Sequence, residues 1–301
     1  MPVSFSVVTG ATGFVGRALC ALLGPGRHAA LALGAEGWER RIAQAPIEGA
    51  TIFHLAARVH DAGNEDERAF MRDNVEKTSY LAKEAARRGA RRLVFLSSIK
   101  VHGDESPPSR PLRATDAPAP RGAYARSKLA AEQAIAEVAA VTGLETATVR
   151  APLVLGAGAR GNLASLLALA DSPWPLPFAS IDNRRSLVHV DDLARLLAAC
   201  GERPNAAGAT FLAAHPRAAS TPSLVGSLRR ALKRPERLYG CTPRLLEIAA
   251  SALGQGERVR RLTRSLEADA SPAQEVLGWE AAIDFELAAF EMANAWRDRH
   301  P

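Results

Sequence analysis

The stretch YARSK sets Tyr124 four residues ahead of Lys128. On a helix, positions i and i+4 share one face, so a phenol and an ammonium become neighbours. A free phenol titrates near ~10 and is a poor base at neutral pH. A cation one turn away favours the phenolate, and the spacing therefore predicts a phenol made easier to deprotonate. Lowering it by ~3 units takes roughly 4 kcal/mol of electrostatic help, so a second positive group would have to assist Lys128. Such a phenol can take a proton from a substrate hydroxyl and return it. A hydroxyl at Ser98, where the apolar run RLVFLSS ends, suits hydrogen bonding to an oxygen on which charge develops.

A second chemical signal stands at the start of the chain. Glycines fall at Gly10, Gly13 and Gly16 in TGATGFVG, after the β-branched run FSVVTG and before the helix-patterned FVGRALCALLG. Glycine permits a tight turn and a close backbone approach to a pyrophosphate. The following helix offers free N–H groups to that anion. Strand, glycine turn and helix in this order predict dinucleotide binding.

The elements that must position these residues follow from periodicity. Strands are expected at 5–10, 28–34, 51–57, 92–98 and 145–156. Helices are expected at 14–24, 38–45, 66–89 and 123–143, with Gly89 and Gly143 as stops. The proline-rich stretch 103–122 reads as a loop. Alternating strand and helix predict an α/β fold, a Rossmann-like doubly wound parallel sheet over residues 1–156. Residues 157–301 read mainly as a smaller, mixed α/β substrate-binding domain, from which some segments return to the first.

Composition narrows the classes. A chain of 301 residues with 47% apolar side chains can bury a sizeable core. No apolar run approaches the ~20 residues of a membrane span, and the start lacks a signal-peptide pattern, so a cytoplasmic protein without a membrane partner is expected. Cys20, Cys200 and Cys241 are scattered, which argues against a disulfide framework or a metal site. The net charge of +6 is carried by dispersed arginines mixed with acids. That suits a small anionic ligand, and no nucleic-acid partner is expected.

Together the motifs resemble the extended short-chain dehydrogenase/reductase family of NAD-dependent epimerases and dehydratases. TGATGFVG is similar to its cofactor turn, HLAA at 54–57 to its next landmark, NVEKT at 74–78 to its asparagine-led segment, FLSSIKVHG at 95–103 to the strand bearing the catalytic hydroxyl, and YARSK to its YxxxK pair. The resemblance implies Ser98, Tyr124 and Lys128 as catalytic. It implies cofactor contacts from Gly10, Thr12, Gly13, Phe14, Val15, Gly16, Leu55, Ala56, Ala57, Asn74, Ser97, Tyr124 and Lys128. RRSLVHVDDLA at 184–194 resembles the segment whose arginine grips a substrate diphosphate, which implies Arg185; Asn162 and Ser98 complete the implied substrate contacts, and His189 reads as structural. ADASPAQEVLGW at 268–279 resembles the closing segment of the substrate domain.

SSIKV and AIDNRRSLV further resemble a subgroup acting at C4 of UDP-linked sugars. The implied cofactor is NAD, with NADP possible, the implied partner a UDP-sugar, and the implied assembly a homodimer through the helices at 66–89 and 123–143. The first expectation is a 4-epimerase. The alternatives are a 4-ketoreductase of a UDP-4-keto-6-deoxy sugar and a non-catalytic dinucleotide-binding protein. One departure is clear: HAALALG ends without the acid that usually holds the adenosine ribose. Glu36 is the nearest acid, Arg40 and Arg41 are the nearest cations, and one strand with its connection is missing before Thr51.

Overall fold

The computed structural model describes residues 5–34, 36–59, 66–159 and 161–299, with Asn162 through its backbone alone. The first half alternates as the periodicity demands: β1 (Ser6–Thr9), α1 (Phe14–Leu23), β2 (His28–Leu31), α2 (Trp38–Gln44) and β3 (Thr51–His54). A helical rod follows, made of α3 (Glu67–Phe70), a π-helical segment (Met71–Glu76) and α4 (Lys77–Arg87). Then come β4 (Arg92–Ser98), a 3-10 turn (Ile99–His102), α5 (Gly122–Thr142), β5 (Thr146–Ala151) and β6 (Leu153–Leu155).

The second half contributes α6 (Asn162–Asp171), β7 (Leu187–His189), α7 (Val190–Glu202), β8 (Thr210–Leu212) and α8 (Thr221–Ala231). It closes with α9 (Pro243–Ala252), α10 (Gly256–Thr263), α11 (Ser271–Leu277) and α12 (Phe285–Arg297).

Six parallel strands form one sheet in the order β2-β1-β3-β4-β5-β8. A parallel sheet is covered on both faces, which is why its strands read as continuous apolar runs. On one face Val8, Phe53, Val94 and Val149 meet Leu19 of α1 and Leu193 and Leu197 of α7. On the other, Val7, Ile52, Leu93 and Phe95 meet Ile42, Leu81, Ala131 and Ile135 from α2, α4 and α5. Full burial of one such leucine stabilises by ~1.5–3 kcal/mol. Strand β2 is an edge; no strand lies beyond it among the described residues, and the shortened adenosine side noted in the sequence is thus visible in the sheet.

Two features differ from the sequence pattern. The expected single helix over 66–89 carries a π-helical segment at its centre, a geometry that amphipathic periodicity does not encode. The short strand β8, hidden in GATFLAA, pairs with β5, and α7 packs on α1. The chain therefore returns to the sheet after entering the second lobe. That lobe is built on the parallel pair β6–β7 and a core of α6, α8 and α12, including Leu163, Leu167, Leu228 and Met292.

Candidate active site

The glycine turn closes between β1 and α1. Gly10 has φ +70°, a left-handed value that favours glycine. A Cβ there would lie 2.8 Å from Ala56 N, and one on Gly16 would lie 2.0 Å from Gly10 O, so the turn folds only without those side chains. Gly13 caps α1 without any side-chain hydrogen bond, and no acid occupies the first turn. The N–H groups around Phe14, Val15 and Gly16 therefore face outward with the positive end of the helix dipole. Thr12 is exposed beside them, its carbonyl accepting from Arg17 Nη1 at 2.8 Å.

Across the turn lie Leu55, Ala56 and Ala57, which are half-buried. Their loop is fixed by a chain of buried hydrogen bonds. Leu55 and Ala56 N–H both donate to Thr9 Oγ1 at 3.1 Å, and Thr9 Oγ1 lies 2.7 Å from His54 Nδ1. His54 Nε2 lies 2.7 Å from Thr78 Oγ1, which donates to the Asn74 carbonyl at 2.6 Å. With both Thr9 lone pairs taken, its hydroxyl must donate to Nδ1, which leaves Nε2 as the protonated ring nitrogen. Burial, and then the charge of Lys128, push the imidazole down to about 3, so His54 is a neutral strut.

Asn74 sits in the π-helical segment and is buried. Its Oδ1 accepts from Arg58 N at 2.7 Å, and its Nδ2 donates to Arg58 O at 3.0 Å and to Ser127 Oγ at 2.9 Å. The sequence motif implied a cofactor contact. In the structure this amide bonds protein partners in the loop after β3 and in α5.

Ser98 and Tyr124 meet at the C-terminal end of β4. The Ser98 hydroxyl hydrogen-bonds the phenol and also accepts from Lys100 N–H at 3.2 Å. Tyr124 stands in the first turn of α5, half-buried, with its ring 6.2 Å from that of Phe70 in an edge-on arrangement. Lys128 lies one turn further on, buried, with Nζ 4.0 Å from the centre of the Phe95 ring. The electrostatics correct the sequence argument. Desolvation pushes the Tyr124 phenol above its ordinary value, with the Ser98 hydrogen bond opposing. Desolvation also pushes Lys128 down to about 7, against the opposing influence of Glu132. Burial that the i,i+4 spacing cannot reveal thus outweighs the pairing, and the site as it stands holds a protonated phenol.

Ser97, the neighbour of Ser98, is buried and its Oγ has no hydrogen-bond partner. An unpaired buried hydroxyl beside outward helix N–H groups and a turn that excludes Cβ atoms fits a polar, phosphate-bearing dinucleotide laid across the strand ends. On the adenosine side, Arg41 Nε donates to Ala32 O at 2.7 Å and Lys77 Nζ to Leu33 O at 3.0 Å. Arg41 also donates to Glu36 O at 3.0 Å, and Lys77 is ion-paired to Asp73 at 2.7 Å, so two cations with their partners border the end of β2.

On the substrate side Arg185 is half-buried, and its Nη1 donates to the carbonyls of Arg261 and Arg264 at 2.7 and 3.0 Å. It thereby ties the end of α10 to the segment before β7. Lys100, Asp104 and Arg261 surround it closely enough to act on one another's charge. The motif pointed to Arg185; it gave no signal for Lys100, which is ion-paired to Asp104 just beyond Ser98. Asn162 opens α6, and its side chain lies outside the described residues. His189 is structural: Nε2 is 2.9 Å from Glu291 Oε2, and Nδ1 accepts Asp191 N–H at the start of α7.

A further cluster was missed in the sequence. Arg150 on β5 donates twice to Glu132 of α5, at 3.1 and 2.6 Å, and its Nη1 lies 2.8 Å from His102 Nε2. It links the turn after Ser98 to the helix bearing Tyr124 and Lys128. No local pattern joins residues so far apart in the chain.

Comparison with known proteins gives consistent results. The model of the NAD dependent epimerase/dehydratase family matches residues 6–213. A UDP-glucose 4-epimerase of Vibrio cholerae is 34% identical over 240 residues, covering 78% of this chain and 73% of that protein. A dTDP-4-dehydrorhamnose reductase of Mycobacterium tuberculosis is 30% identical over 205 residues, 65% of each. The fold is shared with the UDP-glucose 4-epimerase of Thermotoga maritima solved with UDP-glucose, at a TM-score of 0.78 and 20% identity over 98% of this chain and 99% of that one.

Proposed function

From the premise that the chain belongs to the NAD dependent epimerase/dehydratase family, we propose that it catalyses 4-epimerisation of a UDP-linked hexose. The chain is an NAD-dependent enzyme of the extended short-chain dehydrogenase/reductase type. The observation that carries the proposal is the meeting of Ser98 and Tyr124 at the end of β4, with Lys128 one helical turn behind.

In this reading Gly10, Thr12, Gly13, Phe14, Val15 and Gly16 hold the pyrophosphate, and Leu55, Ala56, Ala57 and Ser97 line the dinucleotide. Bound there, NAD would supply a hydride acceptor and donor for C4 and the positive nicotinamide charge that the buried phenol needs. Tyr124 takes the proton from the C4 hydroxyl and later returns it. Ser98 holds the reacting oxygen as it becomes a carbonyl and back. Lys128 supplies a donor toward the cofactor ribose and a charge one turn from the phenol. Arg185 contributes to holding the substrate diphosphate from the far lobe, while its Nη1 fixes α10. The 4-keto sugar must turn within the cleft between departure and return of hydride. Assembly as a homodimer through the rod over 66–89 and α5 accompanies this reading, and a solution mass of two chains at micromolar concentration checks it.

One observation favours a second reading, reduction of a 4-keto sugar. An epimerase retains its cofactor through the keto intermediate, whereas a reductase exchanges it each turnover. The end of β2 lacks an acid for the adenosine ribose, which removes a contact with the far end of NAD. The two separate in one assay of protein purified without added cofactor. Interconversion of C4 epimers of a UDP-hexose, with no net nicotinamide oxidation, supports the epimerase. Stoichiometric consumption of NADH or NADPH by a 4-keto sugar, without interconversion, replaces it with the reductase.

A further inference from the structure

Helix α9 turns an apolar face outward. Leu245 and Ile248 are each 60% exposed, Ala249 and Ala252 are exposed on the same side, and Leu253 just past the helix is 77% exposed. The opposite side is fixed inward. Ala250 is buried, Leu246 meets the core of the second lobe, and Glu247 accepts from Thr263 Oγ1 at 2.6 Å and from Arg264. The apolar face is therefore held in place, not left over from a loosely packed helix. Two large aromatic side chains lie at the same corner of the lobe. Trp174 is 73% exposed on a loop whose Leu176 pairs with residues 237–239, and Tyr239, on the segment leading into α9, is 51% exposed.

Charge gathers on this corner. From Lys233 to Arg264 the sequence carries eight Lys and Arg against three Glu, a net +5 of the chain's +6. Lys233, Arg237, Arg244, Arg258 and Arg260 are exposed and make no salt bridge among the described residues. Leucine and isoleucine on one helix face, aromatic side chains with a polar edge beside them, and unpaired arginines around both are what a helix lying in a bilayer interface requires.

We propose that α9 and its surroundings dock the enzyme on an anionic phospholipid surface, as a peripheral contact and not a span. The proposal departs from the sequence-based expectation of no membrane partner. Three arguments select this occupant. A second copy placed face to face would set these unpaired cations against one another. Nucleic acid would use the arginines but gives no role to Leu245, Ile248 and Leu253. A lipid surface uses both, adding roughly one fivefold step in partition for each cation near the headgroups. The contact would also set the substrate lobe at the bilayer, since the carbonyls of Arg261 and Arg264 at the end of α10 are held by Arg185.

The test is flotation of the full-length protein with vesicles of phosphatidylglycerol and phosphatidylcholine, against vesicles of phosphatidylcholine alone, at physiological salt. Binding is expected to the anionic vesicles and not to the neutral ones. Leu245→Glu with Ile248→Glu, and separately Arg244→Glu with Arg258→Glu, should each lower partition at least ~10-fold while the melting temperature stays unchanged. No flotation with anionic vesicles overturns the proposal. So does binding that survives the Leu245→Glu and Ile248→Glu pair, which would make the attraction purely electrostatic. A vesicle-free assembly, or capture of one acidic protein, that the same pair abolishes would assign the face to that partner instead. The outcome is independent of the epimerase reading, because neither pair touches the Ser98–Tyr124–Lys128 site.

Discussion

Asn74 Nδ2 lies 2.9 Å from Ser127 Oγ, and Ser127 directly precedes Lys128. The same amide group holds both the N–H and the carbonyl of Arg58. One side chain thus couples the loop across from the glycine turn to the helix that carries the acid–base pair. Asn74→Ala strands the Arg58 backbone groups, and each buried unpaired group costs about 1–3 kcal/mol. A loss of about 2–4 kcal/mol in urea unfolding is expected, together with weaker dinucleotide binding. Unchanged stability would show that the Arg58 groups find water instead.

Tyr124→Phe removes one hydroxyl from a half-buried ring whose edge-on contact with Phe70 remains. The fold should persist. Turnover with a working UDP-sugar should fall at least the ~10²-fold typical of a lost general acid–base group. Near-normal turnover would remove Tyr124 from the chemistry.

Lys128 is buried and titrates at about 7, below its ordinary 10.5. Between those values the unfolded chain carries the proton that the folded chain has lost, so stability rises with pH from about 7 to about 10.5. Below about 7 the folded state bears the full cost of the buried charge, of the order of 2–5 kcal/mol. Lys128→Met should therefore raise the melting temperature at pH 6–7, and the gain should shrink as pH approaches 10. A gain that does not depend on pH would point to packing instead.

His54 acts with the same sign in the acid window. Its folded value of about 3 lies below the ordinary 6.5, so as pH falls through that window only the unfolded state takes up a proton. Stability from this group is complete above about 6.5 and falls by roughly 4 kcal/mol by pH 3. His54→Asn should be less stable at pH 7 because the Thr9–His54–Thr78 chain is broken. Its stability should vary less between pH 6.5 and 4 than that of the wild type. Equal slopes for the two proteins would place the acid transition elsewhere.

Arg185→Ala should act twice. Loss of the bonds to the Arg261 and Arg264 carbonyls should lower the melting temperature, and UDP affinity should fall by about 2 kcal/mol if the guanidinium also meets the diphosphate. Dinucleotide affinity should stay within twofold. A lower melting temperature with unchanged UDP affinity would confine Arg185 to holding α10.

The sequence by itself determined the sheet-and-helix alternation, the glycine turn and the order of the chemical residues. These are local properties: the β-branched run SVVT for β1, glycines three apart, and Tyr124 four residues from Lys128 on one helix face. Tertiary structure decided what depends on residues far apart in the chain. It drew β8 to the edge of the sheet beside β5, put a π turn under Asn74, and joined Arg150 to His102 and Glu132. It also set the protonation of the acid–base pair. Spacing gives the attraction between Tyr124 and Lys128 but says nothing of the water removed from around them. Desolvation, a property of the packed interior alone, raises the phenol and lowers the ammonium.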